Sequence, residues 1–325
     1  MSEDLRMGVI GCGGIAGAHL PAQRDVEGMR TVAVCDIDED AARTAAAQYD
    51  VPAVYTDWRD LVADDDVDAV AVLLPHHLHR EPAVAAARAG KHVLCEKPMA
   101  TALADCDAMI AAADEAGAVL MIAQILRFRP ANIRARELIA DGAIGEVRNV
   151  LRRRLGKSED FRSEWARHPE QAGGWVLYGY GSHEVDMILW LTGSEAGEVF
   201  AQARRNNDYW NDVDEITVQM ALSAGGMATY QHSLNCPWGA WECLVIGTEG
   251  AMMVDSAAVR LADRVIDAPL EGAAAFRDQV GEFLRAVRAG DEPEASGRAV
   301  RPTYAALEAA KISMRDGVTV DAAGL

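Results

Sequence analysis

The run Gly11-Cys12-Gly13-Gly14-Ile15-Ala16 constrains this chain more than any other feature. It fits G-x-G-x-x-G/A and stands directly between an apolar run, RMGVIG (6–11), and a helix-like stretch that ends near Arg24. The apolar run has no polar alternation, as expected of a strand buried on both faces. In that setting Gly11 permits a tight turn, Gly13 lets the backbone approach a pyrophosphate, and Ala16 keeps the helix close to the sheet. The helix N-terminus then faces the anion, with Cys12, Gly14 and Ile15 completing the loop. Asp36 ends the next strand, TVAVCD (31–36), about 20 residues on, where an acid binds the ribose 2′-hydroxyl. A carboxylate there repels a 2′-phosphate, so the residues favour NAD over NADP. Asp38 is a lesser candidate for that role. A glycine-rich turn also occurs in α/β proteins without a nucleotide, so the motif draws its weight from its context. Pro21 falls inside the first helix and is expected to kink or shorten it.

Along the chain, strand-like and helix-like runs alternate up to Gln124. DEDAARTAAAQY (38–49) opens with acids, which suit a helix N-terminus. DAVAVLLP (68–75) is a strand ended by Pro75, and EPAVAAARAG (81–90) places Pro in the first helical turn and Gly past the end. KHVLCEKP (91–98) and VLMIAQ (119–124) are strands on either side of a helix at 100–117. This alternation predicts a doubly wound parallel sheet with right-handed crossovers. Beyond a helix at 129–145 the pattern changes. Strand-like runs at 146–154, 198–205, 214–222, 227–233 and 242–248 surround one strongly apolar helix, SHEVDMILWLTG (182–193). Glycine-containing turns between consecutive strands suggest a largely antiparallel sheet. Helices at 276–290 and 301–317 close the chain. The expected class is thus α/β, with an NAD-binding domain over 1–124 and a second α/β domain with a large, mostly antiparallel open sheet over 125–325.

The chain has 325 residues, which suits two domains rather than one core. Six cysteines are scattered without a CxxC pair and read as buried reduced thiols. The net charge of -19 makes nucleic acid and anionic membranes poor partners. No apolar run reaches the length of a bilayer span, and the N-terminus has no signal-peptide pattern, so a cytoplasmic location is expected.

The run LLPHHLHREPAVAAARAGKHVLCEKPMA (73–100) resembles the glucose-fructose oxidoreductase / inositol dehydrogenase / MocA family, with Glu96-Lys97-Pro98 matching its E-K-P signature. The likeness continues in QILRFRPANIRARELIADGAIGEV (124–147), GGWVLYGYGSHEVDMILWLTG (173–193) and VIGTEGAMMVD (245–255), and so spans nearly the whole chain. The resemblance implies a Rossmann domain followed by an α/β domain whose open sheet often forms the oligomer interface, here of a homodimer or homotetramer. It implies that Lys97 lies by the nicotinamide, that a cis bond precedes Pro98, and that His183 matches the catalytic histidine of the D-x-G-x-H pattern. Pro75, His77, His79 and Glu96 join the cofactor edge. One departure stands out. The family's catalytic Asp lies four residues before that histidine, and Gly179 occupies the position here.

Hydride transfer from an alcohol carbon needs a hydride acceptor, a proton acceptor and stabilisation of the oxygen. His183 is the expected acid/base and Lys97 the group that polarises and orients the oxygen. Tyr178, Tyr180 or Asp186 are candidates to replace the lost Asp, and Asp186 lies near one turn beyond His183. These three, with Lys97, His183 and Trp165, form the expected substrate set. Trp165, Trp175 and Trp210 fall in loop-like stretches where indoles can face sugar C–H surfaces, or equally serve as packing. The His76, His77, His79 cluster lacks a Cys or acid at ligand spacing beyond the nearby Glu81, so no metal is expected. Arg148 and Arg152 to Arg154 are unusual in so acidic a chain. They fit either an anionic substrate or pairing with acids, and strand alternation turns Arg153 opposite to its neighbours.

The residues and the resemblance together imply an NAD-dependent oxidoreductase of a sugar or polyol. An alternative holds NAD tightly and oxidises its substrate only transiently, giving a net elimination, epimerisation or glycoside cleavage. A third is a non-catalytic NAD-binding sensor, against which Lys97 and His183 argue.

Overall fold

The computed structural model of the chain describes residues 4–159, 164–269 and 273–325. These fall into two compact units. The first comprises the described residues of Met1–Ala100, Ala104–Ile125 and Gly272–Ala299, and the second those of Thr101–Leu103, Leu126–Glu271 and Val300–Leu325. The stretch before Ala299 is therefore spatially part of the first unit, although it follows most of the second in sequence.

The first unit is a six-stranded sheet. Its elements run β1 (Leu5–Ile10), α1 (Ala16–Arg24), β2 (Met29–Cys35), α2 (Glu39–Tyr49), β3 (Ala53–Tyr55), α3 (Trp58–Ala63), β4 (Ala69–Val72), α4 (Arg80–Arg88), β5 (His92–Cys95), α5 (Leu103–Ala116) and β6 (Leu120–Ile122). The strand order is β3-β2-β1-β4-β5-β6 and every pairing is parallel. This is the doubly wound order of two mononucleotide-binding halves, which places a crevice beyond the carboxyl ends of β1 and β4. The central strands explain their own sequence. Met7, Val9, Ala69, Val70, Ala71, Val72, Val93 and Leu94 are wholly buried, so no polar face is needed.

Local chemistry sets the helix ends. The Asp38 carboxylate accepts hydrogen bonds from Asp40 N–H (3.0 Å) and Ala41 N–H (3.3 Å), capping α2. Asp38 thus serves as the cap of α2 through one carboxylate oxygen. Asp57 caps α3 through Arg59 N–H at 2.9 Å. The β3–α3 pair is absent from the sequence reading because three strand residues and six helical ones are too few to show a period. Pro21 does not end α1, which continues to Arg24.

The second unit is built on a nine-stranded sheet. Its elements are α6 (Pro130–Ala140), β7 (Val147–Lys157), α7 (Pro169–Ala172), α8 (Gly181–Thr192), β8 (Ala196–Arg204), β9 (Glu215–Leu222), β10 (Met227–Ser233), β11 (Asn235–Gly247), β12 (Ala251–Val254), β13 (Ala258–Leu261) and β14 (Val265–Asp267). After α9 (Ala274–Ala289) of the first unit come α10 (Gly297–Asp316) and β15 (Val320–Asp321). The order is β14-β13-β12-β11-β7-β10-β9-β8-β15, antiparallel except for the β7–β10 pair. β12 to β14 were not legible as strands, being three or four residues each. Alternation along β7 is sharp: Val150 and Arg152 are buried, while Leu151 is exposed. On the buried face lie Tyr230 and His232 of β10 and Cys243 and Val245 of β11. α8 packs on β7 and β10. Its residues from Glu184 to Leu191 are buried all round, which accounts for its apolar sequence.

Candidate functional site

The glycine loop of the first unit has the form a dinucleotide needs. Gly11 holds φ +102°, and a Cβ there would lie 2.3 Å from the Leu73 carbonyl oxygen, so only glycine fits. At Gly13, Gly14 and Gly17 a Cβ would meet nothing within 4 Å. Gly13 and Gly14 are exposed, and Ala16 is buried at the start of α1. The result is an open cradle of bare backbone at a helix N-terminus, which fits a pyrophosphate. Ile15 is 39% exposed at the rim of that cradle.

Asp36 lies beside the loop. One carboxylate oxygen accepts the Cys12 N–H at 2.7 Å and the other accepts the Asp38 N–H at 3.0 Å. Each oxygen keeps further lone-pair capacity, so the group fixes the loop and still suits a ribose diol. Burial, and then the Asp36 charge, push the Cys12 thiol up to about 12. A neutral S–H therefore borders the cradle, with no thiolate to repel a phosphate. None of the six cysteines is in a disulfide, and four of them are buried.

The segment after β5 is held from behind. The Glu96 carboxylate accepts from His19 Nε2–H (2.8 Å) with one oxygen and from Lys97 N–H (3.0 Å) with the other. Burial alone would raise the Glu96 pKa, but the hydrogen bond and charge of His19, with the Lys97 cation and N–H, bring it below the ordinary value. His19 is fully buried in α1 and stacks edge-on against Phe276, 5.5 Å between ring centroids. The peptide between Lys97 and Pro98 is cis, as the resemblance implied. Lys97 itself is half-buried and Pro98 buried.

His79 departs from its expected place at the cofactor edge. It is 0% exposed, and its ring nitrogens lie 2.7 Å from the carbonyl oxygens of Pro98 and Leu74. It is a strut between two loops, and neither nitrogen is left for a cofactor or a metal. Burial pushes its pKa down, against the pull of the two carbonyls. Glu96 likewise positions Lys97, its carboxylate being occupied by His19 and the Lys97 N–H. Pro75 is half-buried and His77 exposed, at the loop after β4. Among the described residues no His, Cys, Asp or Glu group is arranged to hold a metal ion.

In the second unit, His183 is half-buried in the first turn of α8, with its N–H bonded to the Tyr180 carbonyl at 2.9 Å. Tyr180 is half-buried and touches Trp175 edge-on (5.3 Å) and His232 (4.9 Å). Trp165 is half-buried against Trp175 at 5.9 Å. Trp175 and Trp210 are buried and stacked at 6.4 Å with an interplanar angle of 12°, so packing is their role. Gly179 now has a physical reason. A Cβ there would stand 2.8 Å from the Trp175 ring, so the indole fills the space in which an aspartate side chain would begin.

Two expected substrate residues belong elsewhere. Asp186 is wholly buried and forms a two-point ion pair with Arg127, at 2.9 and 2.6 Å, and accepts from Thr303 Oγ1–H at 3.2 Å. Its carboxylate is consumed inside the unit and does not reach substrate. Tyr178 is fully buried, with its hydroxyl donated to Glu308 at 2.8 Å. Neither replaces the missing aspartate.

A second cluster was not foreseen as a unit. Glu184, wholly buried beside His183, pairs with Arg152 and, at 3.3 Å, with Arg154. Arg153 turns to the opposite face and pairs with Glu242, as strand alternation required. Tyr230 donates its hydroxyl to the Val176 carbonyl at 2.7 Å, so the His232 Nδ1 at 2.8 Å supplies the proton of their bond. Burial and the Arg154 charge depress His232 to about 3, leaving it neutral.

Residues 5–124 match the model of an oxidoreductase family with an NAD-binding Rossmann fold, and residues 133–253 match the GFO/IDH/MocA C-terminal domain. The chain belongs to the GFO/IDH/MocA oxidoreductase family. It is 30% identical to inositol 2-dehydrogenase of Salmonella typhimurium, over 89% of this chain and 88% of that one. It is 32% identical to 2,7-anhydro-N-acetylneuraminate hydratase of Mediterraneibacter gnavus over 74% of this chain, but the match spans only 65% of that protein's length. Among solved structures, the aldose-aldose oxidoreductase of Caulobacter crescentus, complexed with glycerol, superposes with a TM-score of 0.89 at 29% identity, covering 98% of this chain and 100% of that one. No helix among the described residues is long and apolar enough to cross a membrane.

Proposed function

We propose that this protein is an NAD-dependent dehydrogenase of a sugar, polyol or sugar derivative. The observation that carries the reading is the Lys97 segment, a half-exposed lysine whose backbone is fixed by Glu96, which is held in turn by His19 of the glycine-loop helix. The cradle, Asp36 and Lys97 thus belong to one hydrogen-bonded assembly. Family relatives named for inositol and aldose chemistry support the substrate class.

NAD, when bound, supplies the hydride acceptor or donor. The chain's own residues do the rest. The Gly11–Ala16 loop holds the pyrophosphate on backbone N–H groups, and Asp36 holds the ribose. The Lys97 ammonium donates to the reacting oxygen and stabilises charge as it develops there. His183 takes the hydroxyl proton, or returns it in the reverse direction. Trp165 and Tyr180 offer aromatic surface to the C–H faces of the substrate.

Absorbance of NADH across a panel of polyols, aldoses and uronates tests this. Lys97→Ala and His183→Ala are expected to lower kcat by about 100-fold or more, the usual contribution of a positioned acid or base. Unchanged rates in both variants remove the assignment. The lost aspartate favours a second reading, transient oxidation with a net non-redox outcome, because Trp175 over Gly179 leaves no room for that carboxylate. Substrate consumption without net NADH would establish this second reading instead.

A further inference from the structure

The register of the nine-stranded sheet places His232, Arg154 and Trp241 side by side on β10, β7 and β11. Arg154 lies over the Tyr180 ring at 4.0 Å and over Trp241 at 5.0 Å. Arg129, which precedes α6, lies over the same Trp241 at 4.5 Å, and Arg152 is 5.8 Å from it. Three guanidiniums therefore converge on one indole. The carboxylate that faces them is Glu184, which pairs with Arg152 and Arg154. Arg129 makes no ion pair among the described residues, and its Nε–H is buried without a hydrogen-bond partner. The Trp241 indole N–H is also buried and unpartnered.

The local charge is three cations against one anion, an excess of two, in a chain whose net charge is -19. Like charges gathered in a half-buried place oppose folding unless something compensates. Burial and the two neighbouring arginines indeed push the Arg129 pKa down. Arg129 differs from the other arginines of this region: Arg127 is matched by the buried Asp186, and Arg152 and Arg154 share the buried Glu184. Arg129 and Arg154 are half-buried rather than sealed, so a ligand can approach them. The Tyr180 ring ties the cluster to the turn that carries His183.

We propose that Arg129 and Arg154, flanked by Tyr180 and Trp241, form an oxyanion subsite, and that the substrate is a sugar or polyol bearing a carboxylate or a phosphate. The substrate part of this rests on the dehydrogenase reading above. The anion subsite does not, because binding can be measured without turnover. Guanidinium forks match both oxyanions, and aromatic faces beside them suit the sugar ring.

Calorimetry of the NAD-loaded protein with glucuronate, glucose 6-phosphate and glucose tests the subsite directly. One of the two anionic sugars is expected to bind about tenfold or more tighter than glucose, and the one that does so identifies the oxyanion. Arg129→Gln and Arg154→Gln are each expected to remove about tenfold of that preference. Arg153→Gln, on the opposite face, is expected to leave it unchanged. Inorganic sulfate is expected to compete with the anionic sugar in the wild type, a measurement that stands even if the variants fail to fold. Equal binding of charged and neutral sugars with no sulfate competition overturns the subsite. So does a fall in NAD affinity, in place of sugar preference, on Arg129→Gln. Anion binding that depends on Arg129 and Arg154 but yields no NADH would keep the subsite and sink the dehydrogenase reading.

Discussion

In the first unit the cradle of the candidate site is made of backbone, and in the second unit the site is made of side chains. The cradle at Gly11 to Ala16 works through φ angles, missing Cβ atoms and a helix terminus, all encoded within a few consecutive residues. In the second unit, Arg127 finds Asp186 across 59 residues of sequence, and Arg152 finds Glu184 across 32. Nothing in either local segment marks those pairs. The difference shows where a motif can be trusted. It reports chemistry done by the chain's own path, and says little about which distant side chain will consume a carboxylate.

The largest effect that sharpens this contrast is expected at Asp186. If the carboxylate is structural, Asp186→Ala removes the two-point partner of the buried Arg127 guanidinium, and urea denaturation should show a loss of about 3–5 kcal/mol. Replacing both partners, Asp186→Leu with Arg127→Met, should cost markedly less, because no charge is then stranded. A variant with unchanged stability and a raised KM would return Asp186 to the substrate and break the comparison.

The next effect separates two glycines of one motif. Gly11→Ala forces a side chain into φ +102° and against the Leu73 carbonyl, which should cost about 1–3 kcal/mol in stability, or more. Gly13→Ala meets nothing within 4 Å, so the fold should tolerate it. If the cradle takes a pyrophosphate, Gly13→Ala should nevertheless lower NAD affinity by about tenfold, measured by fluorescence titration. Unaltered affinity would mean that the open space above Gly13 is not where the dinucleotide lies.

Much of this molecule was legible before its structure. The doubly wound parallel character of the first sheet, the mostly antiparallel character of the second, the glycine loop and the cis bond before Pro98 all follow from motif, period or resemblance. The short elements β3, α3 and β12 to β14 were not legible, since a few residues cannot display a period. At the site, the limits were set by burial. His79 reads as a loop histidine beside a cofactor, and only the fold shows its two nitrogens taken by carbonyls. Asp186 reads as one turn from a catalytic histidine, and only the fold shows it facing Arg127. His19 had no local signal, because its partner Glu96 lies 77 residues away. The consecutive arginines of β7 did carry a usable signal. Alternation correctly divided Arg152 and Arg154 from Arg153, and the glutamates that receive them could not be named in advance.

The smallest effect concerns His232, a titratable group that only the second unit's side-chain network could create. Its proton on Nδ1 is held by Tyr230, and burial together with Arg154 depresses its pKa from 6.5 to about 3. In the unfolded chain the same imidazole takes up a proton below pH 6.5. Between the two values the unfolded state binds more protons than the folded one, so stability rises with pH there and is lost as pH falls from 6.5. The loss approaches about 1.4 kcal/mol for each further unit. Denaturation of the wild type and of His232→Gln at a series of pH values should therefore show curves that converge on acidification, the wild type losing about 1 kcal/mol more over the first unit or so below that point. The imidazole carbon-bound proton signals of His232 should meanwhile stay unshifted where an exposed histidine titrates. Parallel stability curves, or a His232 resonance that titrates near its ordinary pKa, would mean that water reaches the ring and that the cluster is more open than a buried network allows.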